Sequence, residues 1–113
     1  MERQLTLVTG GCGFVGRHLV DALVERGDRV RVVDLYGQPH RDDVEFVTAD
    51  ITDADAMQAA CAGAQTVIHN ASVVHTKQNK KDVVWSVNLD GTRNVLAGCR
   101  KQGVGKLIYV SSG

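Results

Sequence analysis

The chain has 113 residues, of which 43% are hydrophobic and 23% charged, and these values are typical of one soluble globular domain or part of one. Its 13 basic and 13 acidic residues give a formal net charge of zero, so neither nucleic acid nor an anionic membrane is expected as a partner. No run approaches the ~18 apolar residues of a membrane helix. Three cysteines without C-x-x-C spacing favour neither a disulfide framework nor a metal site, which indicates a reducing, cytoplasmic setting.

A strand, a glycine-rich turn and a helix are predicted at the start of the chain. Residues 5–8 are a short apolar run, and residues 9–16 read T-G-G-C-G-F-V-G. A helix is predicted over Phe14–Arg26, because apolar side chains recur there at helical spacing, at Val15, Leu19, Ala22 and Leu23. A second strand, Arg29–Asp34, follows.

The glycine spacing after the first strand indicates a site for a dinucleotide. It can be read as G-x-G-x-x-G from Gly11 or as the wider G-x-x-G-x-x-G from Gly10, and both readings include Gly13 and Gly16. Small residues let the main chain approach a diphosphate, and a helix N-terminus offers free N–H groups with a partial positive charge. Asp34, eighteen positions after Gly16, is the expected acidic partner of a ribose.

The same aspartate favours NAD over NADP. A 2′-phosphate beside Asp34 would bring two negative groups together, and Leu35 follows where NADP enzymes often carry arginine. Arg17 and Arg41 are the two cations that could act as phosphate partners instead.

The middle of the chain continues the alternation of predicted strands and helices. A loop over residues 35–43 precedes a third strand over residues 44–49, which ends at Asp50 and Ile51. Thr52 or Asp53 is expected to cap a helix that runs through Ala62 and ends at Gly63.

The last third repeats the pattern. A fourth strand is predicted over residues 66–70, and a loop over residues 73–76 leads to a helix over about residues 80–102, stopped by Gly103 or Gly105. The buried side of that helix is expected to carry Val84, Val87, Gly91, Val95 and Cys99. A fifth strand over residues 107–110 precedes Ser111 and Ser112.

Strands that alternate with helices and consist of continuous apolar runs predict an α/β fold with a Rossmann-type, doubly wound parallel sheet. Right-handed crossovers favour strand order 3-2-1-4-5, with a ligand at the carboxyl ends, where the order reverses. The polar strand ends should therefore share one crevice, which collects the glycine turn, Asp34, Asp50, His69, Asn70, Ser111 and Ser112. His69 is interpreted as a packed, hydrogen-bonded residue rather than a catalyst.

These residues resemble the extended short-chain dehydrogenase/reductase superfamily. Residues 9–16 resemble its T-G-G-x-G-F-x-G, residues 87–95 its V-N-x-x-G-T-x-N-V, and residues 109–112 the strand that carries its catalytic serine. The finer resemblance, carried by residues 66–72, 79–82 and 106–108, is to 3β-hydroxysteroid dehydrogenases, notably the decarboxylating sterol-4α-carboxylate 3-dehydrogenase type.

The resemblance implies roles for individual residues. Gly10, Gly13, Phe14 and Val15 would surround the pyrophosphate, with Gly16 in the same motif, and Asp34 would bind the adenosine ribose. Asp50 and Ile51 would frame the adenine, and Asn70, Ala71 and Ser72 would line the nicotinamide-side ribose and phosphate. Ser112 would be the catalytic residue that hydrogen-bonds the reacting oxygen of the substrate.

One departure concerns the Tyr-x-x-x-Lys pair on which the superfamily's chemistry depends. Neither Tyr36 nor Tyr109 has a lysine four places on. Residues 1–113 are therefore interpreted as an incomplete N-terminal NAD(P)-binding domain that lacks the C-terminal strands and the substrate domain, and that is inactive alone. Its fifth strand is expected to form an exposed sheet edge, and the long helix to contribute to a homodimer.

The expected function is that of the NAD-binding portion of an oxidoreductase, with a dinucleotide and a small molecule as its ligands. The resemblance implies oxidation of a 3β-hydroxyl on a steroid or sterol-like substrate. A nucleotide-sugar epimerase or dehydratase, and a non-catalytic NAD(P)-binding sensor, are the two alternatives.

Overall fold

The computed structural model describes residues 3–70 and 81–110, with side chains from residue 89 onward in the second range. In these ranges five strands alternate with three helices: β1 (Leu5–Thr9), α1 (Phe14–Arg26), β2 (Arg29–Asp34), β3 (Glu45–Thr48), α2 (Ala54–Ala60), β4 (Thr66–His69), α3 (Lys81–Gln102) and β5 (Lys106–Tyr109). Each lies within one or two residues of its predicted position. The loop predicted over residues 73–76, and the side chains of Val84 and Val87, lie outside the described residues.

The strands form one parallel sheet in the order β3-β2-β1-β4-β5, which confirms the predicted topology. β1 is the central strand, and Leu7 on it is paired with Arg31 of β2 on one side and Val67 of β4 on the other. Parallel neighbours require crossover connections, and the helices supply them.

The core lies on the two faces of β1. On one face Leu7 and Val67 pack with Met57 of α2 and Val95 of α3 in one cluster of buried side chains. On the other face Val8 belongs to a second cluster, which α1 covers with Val20 and Leu23. Cys61 and Cys99 are buried in the first cluster, as expected for small core residues.

The buried side of α1 follows only in part the apolar residues whose helical spacing predicted the helix. Val15 is 49% exposed and Ala22 is exposed, whereas Gly16, Val20 and Leu23 are the buried residues. The close contact of Gly16 with Gly10, at the end of β1, turns the Gly16 side of the helix towards the sheet. Val15 then lies beyond the sheet, at its carboxyl edge.

Helix α2 ends at Ala60 rather than at Ala62. Asp53 caps its start by accepting the N–H of Ala56 at 3.1 Å, as predicted. At the other end Arg31 of β2 donates to the carbonyls of Ala60 and Ala62, both at 2.7 Å. A cation beside the last carbonyls of a helix satisfies groups that the helix itself cannot.

The fifth strand is the least covered strand of the sheet. Ile108 is 38% and Tyr109 59% exposed, which agrees with the predicted open edge. Helix α3 ends before Gly103, which has φ 69°. No helix in the described part of the chain has both the length and the apolar content to cross a membrane.

We expect Leu7→Ala to lower the free energy of unfolding by about 2–5 kcal/mol, because this fully buried side chain lies at the centre of the sheet and its removal leaves a cavity. Urea denaturation measures the change. Leu35→Ala is the matched control, since Leu35 is 42% exposed and should lose less than about 1 kcal/mol. Equal losses in the two variants would show that the core is not centred on β1.

Candidate functional site

The carboxyl ends of the strands meet at one edge of the sheet, where chain order reverses between the neighbours β1 and β4. In open α/β sheets this reversal forms a crevice that binds ligands. The sequence-predicted site residues that the structure describes lie on the segments that follow these strand ends: Gly10, Gly13, Phe14, Val15 and Gly16 after β1, Asp34 at the end of β2, Asp50 and Ile51 after β3, and Asn70 after β4.

The glycine loop, residues 10–13, joins β1 tightly to α1. Gly10 has φ 69° and donates its N–H to the carbonyl of Val33 at 2.8 Å. A Cβ at Gly16 would lie 2.1 Å from the carbonyl oxygen of Gly10, so only glycine fits there. The first turn of α1 therefore rests directly on the end of β1.

The N-terminus of α1 is open towards the crevice. Gly13 caps the helix in an extended conformation, with no side-chain cap and no acidic residue in the first turn. Phe14 is 81% exposed. A Cβ at Gly13 would meet only the carbonyl of Gly10, at an ordinary 3.7 Å. Within the described part of the chain, the main-chain N–H groups of Phe14 and Val15 are available to an anion, which both these donors and the helix dipole favour.

Asp34 is fixed beside the glycine loop by two main-chain N–H groups. Its Oδ2 accepts from Cys12 at 3.0 Å and its Oδ1 from Tyr36 at 3.3 Å. Burial, and then the negative charge of Asp34, raise the pKa of the Cys12 thiol to about 11, so that thiol stays protonated at neutral pH. Asp34 is identifiable from the sequence, but its two contacts are not, because main-chain donors leave no residue signature.

His69 lies at the end of β4, buried among uncharged partners. Its Nδ1 is 2.8 Å from Oγ1 of Thr9 and its Nε2 is 3.1 Å from Oγ1 of Thr92, while its ring packs 5.6 Å from that of Tyr109. Burial lowers the pKa of His69 to about 4, so the ring is neutral at physiological pH. The prediction of a packed, hydrogen-bonded histidine is confirmed.

The two threonine partners of His69 were not identified from the sequence. Thr9 and His69 are register neighbours on β1 and β4, so their contact follows once these strands are taken as adjacent. The contact with Thr92 depends on where α3 crosses the sheet, which no local pattern encodes.

Asn70 connects β4 to the glycine loop. Its main-chain N–H donates to Oγ1 of Thr9 at 2.9 Å, and its side-chain amide donates to the carbonyl of Gly10 at 3.4 Å. Asn70 thus lies against the same turn that carries the helix N-terminus, on the opposite side of β1 from Asp34.

Asp50 and Ile51 occupy the third strand end. Asp50 accepts the N–H of Thr52 at 2.9 Å. The side chain of Ile51 is in the core, 9% exposed, and a Cβ at Gly91 would lie 2.2 Å from its Cδ1. Its carbonyl accepts from Asn94 at 2.9 Å. Any contact of Ile51 with a ligand would therefore involve mainly its main chain.

Comparison with known proteins identifies the family. Residues 7–113 match the model of the 3-beta hydroxysteroid dehydrogenase/isomerase family. The chain belongs to this family. It is 37% identical over 122 residues to human 3 beta-hydroxysteroid dehydrogenase type 7, covering 98% of the chain and 33% of the relative. It is 39% identical over 105 residues to the decarboxylating sterol-4-alpha-carboxylate 3-dehydrogenase of Bos taurus, covering 93% and 29%.

Solved structures similar to this family member carry the same fold. A short-chain dehydrogenase/reductase superfamily protein of Agrobacterium tumefaciens with bound NAD has a TM-score of 0.84 at 34% identity, covering 97% of the chain and 33% of that protein. Thermus thermophilus UDP-glucose 4-epimerase in complex with NAD has a TM-score of 0.77 at 34% identity, covering 92% and 36%. The chain spans about a third of the length of the curated relatives it matches.

In this 3-beta hydroxysteroid dehydrogenase/isomerase family member, Arg41 is held by carboxylates. It donates to Asp43 at 2.8 and 2.9 Å and to Asp21 at 3.0 Å. These hydrogen bonds, Asp43 first, raise the pKa of Arg41 further above its usual range. Asp21 lies seven residues into α1, about 10 Å from the helix start at 1.5 Å per residue. Of the two candidate phosphate partners, Arg17 alone lies in the first turn of α1.

Three of the predicted site residues, Ala71, Ser72 and Ser112, lie outside the described residues. The described residues contain no group of three His, Cys, Asp or Glu side chains that could hold a metal ion.

We expect the stability of this family member to fall as the pH drops from about 6.5 to about 4. His69 takes up a proton at its ordinary pKa when unfolded but only near 4 when folded, so the unfolded state binds more protons between these values. The shift corresponds to at most about 3 kcal/mol. Urea unfolding at pH 7 and pH 4.5 measures it.

The matched control is His69→Gln. Removal of His69 should make the pH dependence of the free energy of unfolding shallower across this range. The same slope in both proteins would contradict a buried, neutral His69.

Proposed function

We propose that residues 1–113 are the NAD-binding part of an oxidoreductase that oxidises a 3β-hydroxyl of a steroid or sterol-like substrate. The family membership supports the reaction class, and the names of the relatives support the substrate class. The observation that carries the cofactor proposal is the open N-terminus of α1, which lies beside a carboxylate fixed at the end of β2.

The glycine loop and the first turn of α1 would hold the pyrophosphate. At Gly13 a Cβ would contact only the carbonyl of Gly10, so the absence of a side chain would let a phosphate approach the main chain closely. The main-chain N–H groups of Phe14 and Val15 would donate to the phosphate oxygens. Gly10 and Gly16 would act through the tight contact between them, which sets the direction of the helix.

The other strand ends would bind the two halves of NAD. Asp34 would accept hydrogen bonds from the adenosine ribose, since its two main-chain donors leave further acceptor capacity on the carboxylate. Asp50 and the main chain of Ile51 would frame the adenine. Asn70, with Ala71 and Ser72, would line the nicotinamide-side ribose and phosphate.

Bound NAD⁺ would supply the hydride acceptor, at C4 of its nicotinamide ring. The chain's own contribution would be to hold the ring beside the substrate and, through Ser112, to hydrogen-bond the hydroxyl being oxidised. The proton of that hydroxyl would leave to a general base, for which the superfamily resemblance implies the tyrosine of a Tyr-x-x-x-Lys pair. Residues 1–113 contain no Tyr-x-x-x-Lys sequence, since His40 and Gly113 lie four places after Tyr36 and Tyr109.

A nucleotide-sugar epimerase is the second candidate, and the 34% identity to a UDP-glucose 4-epimerase in complex with NAD supports it. A non-catalytic NAD(P) sensor would use the same crevice without turnover. Assays of a polypeptide in which this domain is joined to a catalytic region distinguish the three candidate functions. NAD⁺ reduction with a 3β-hydroxysteroid supports the first, interconversion of UDP-sugars the second, and binding without turnover the third.

We also propose that the protein is a cytoplasmic homodimer that pairs through α3. Leu89 and Leu96 are 40% and 41% exposed and are seven residues apart, so they form one apolar stripe on this helix. An apolar stripe that is open to solvent is typical of a helix that packs against a partner.

We expect Gly13→Ala to weaken NAD⁺ binding by tenfold or more while changing the free energy of unfolding by less than about 1 kcal/mol. The added methyl group fits the protein but would fill the space proposed for the pyrophosphate. Isothermal titration calorimetry and urea denaturation give the two values. Gly105→Ala is the matched control, because it also has room for a Cβ but lies at the opposite end of the sheet. Unchanged NAD⁺ affinity in Gly13→Ala would contradict the pyrophosphate site.

We expect NAD⁺ to bind at least tenfold more tightly than NADP⁺, because a 2′-phosphate would face the Asp34 carboxylate while Arg41 is engaged by Asp43 and Asp21. Asp34→Asn should lower NAD⁺ affinity roughly tenfold, through loss of a charged acceptor, and should narrow the difference between the cofactors. Parallel titrations with both cofactors measure this. Tighter NADP⁺ binding by the unmodified protein would overturn the assignment to NAD.

A further inference from the structure

A buried chain of hydrogen bonds runs beneath the proposed dinucleotide site, from α3 through β4 to β1. His69 is its centre, 2% exposed, with Thr92 on its Nε2 side and Thr9 on its Nδ1 side. A neutral imidazole has one donor and one acceptor, and a hydroxyl can serve as either, so both ring nitrogens are paired in either tautomer. No carboxylate or cation takes part in these contacts.

The Thr9 side of this chain of hydrogen bonds leads directly to the crevice. The Thr9 hydroxyl, which contacts His69, also accepts the main-chain N–H of Asn70 at 2.9 Å. Thr9 is the residue before Gly10, whose carbonyl accepts from the Asn70 side chain at 3.4 Å and from the N–H of Gly13 at 3.3 Å. A shift of the Thr9 hydroxyl would therefore move main-chain atoms on both sides of the β1–β4 crevice.

The Thr92 side leads away from the glycine loop. Thr92 lies on α3 next to Gly91, which packs against the buried side chain of Ile51. Asn94 of the same helix donates to the carbonyl of Ile51 at 2.9 Å. This side of the hydrogen-bond chain fixes where α3 lies on the sheet, and His69 links it to Thr9 at the start of the glycine loop.

We propose that His69 is a positioning residue for the dinucleotide, and that it acts through Nδ1 by fixing the Thr9 hydroxyl and hence the main chain at Gly10 and Asn70. This inference rests on the proposed function of the crevice. It differs from a purely structural role for a buried histidine, because it assigns the effect to one ring nitrogen. The two nitrogens have different partners, so the two roles can be separated.

Two substitutions separate them. In His69→Asn the side-chain amide occupies the place of Nδ1 and retains a partner for Thr9, whereas in His69→Gln it reaches the place of Nε2 and retains a partner for Thr92. We expect His69→Asn to bind NAD⁺ within about threefold of the unmodified protein and His69→Gln to bind roughly tenfold more weakly, equivalent to one lost hydrogen bond. Isothermal titration calorimetry gives the affinities.

The threonines provide a second pair of variants in case a change at His69 prevents folding. Thr92→Val keeps the shape of the side chain and removes the Nε2 partner, so it should lower the melting temperature without changing NAD⁺ affinity more than about threefold. Thr9→Val should lower NAD⁺ affinity about as much as His69→Gln, and Thr9→Ser, which keeps the hydroxyl, should restore it.

Hydrogen exchange of the Asn70 main-chain amide supplies a readout that does not depend on the ligand. Its exchange should accelerate in His69→Gln, because the Thr9 hydroxyl loses its contact with His69, and should stay slow in His69→Asn and Thr92→Val. A general loss of stability would instead accelerate exchange in every variant, and most in the variant whose melting temperature falls furthest.

The outcomes are distinguishable. If the unmodified protein does not bind NAD⁺, the proposed function fails and this inference fails with it. If the unmodified protein binds NAD⁺ but His69→Asn and His69→Gln bind it equally, or if Thr92→Val weakens binding as much as Thr9→Val, the positioning role is overturned while the proposed function stands.

Discussion

The close contact between Gly16 and the carbonyl oxygen of Gly10 determines the geometry of the whole crevice. A Cβ at Gly16 would lie 2.1 Å from that oxygen, so the absence of a side chain lets α1 begin directly against the end of β1. The helix dipole and the first main-chain N–H groups of α1 are thereby held at the carboxyl edge of the sheet, beside β1 and β4. If α1 began further from β1, the N–H groups that follow Gly13 would not lie at this edge of the sheet.

The main-chain N–H groups around the glycine loop have two roles. One of them binds the Asp34 carboxylate, and those at the start of α1 lie beside the crevice. The N–H of Cys12 binds Asp34, which keeps this carboxylate beside the loop. The start of α1, beyond Gly13, carries no acidic residue and no side-chain cap. One short turn therefore presents a fixed negative group on the β2 side and free donors on the β1 side, the arrangement that a sugar next to a diphosphate requires.

The sequence predicted the sheet order and nearly all the element bounds, because alternating apolar runs, capping residues and right-handed crossovers are local or near-universal signals. Helical spacing predicted the bounds of α1 but does not identify its buried face, since Val15 and Ala22 are exposed and the contact at Gly16 turns the helix. The end of α2 was missed because Arg31, far away in sequence, satisfies its last carbonyls. In the crevice the motif residues were identifiable, but Thr92 was not, since its contact depends on how α3 crosses the sheet.

The part of the molecule that the chain comprises bears more on the cofactor than on the substrate. Its relatives are named for a 3 beta-hydroxysteroid and a sterol-4-alpha-carboxylate, and a solved structure of the same fold is named for UDP-glucose. In the proposed function, the glycine loop, Asp34 and the crevice between β1 and β4 bind the dinucleotide. A fold of this kind carries many chemistries, and the residues of the site rather than the fold decide among them. The contacts of His69 and Ile51 with α3 lie beneath that crevice, where His69 pairs with Thr92 and the carbonyl of Ile51 accepts from Asn94. They hold the sheet and α3 in register, so they support the crevice from within the protein.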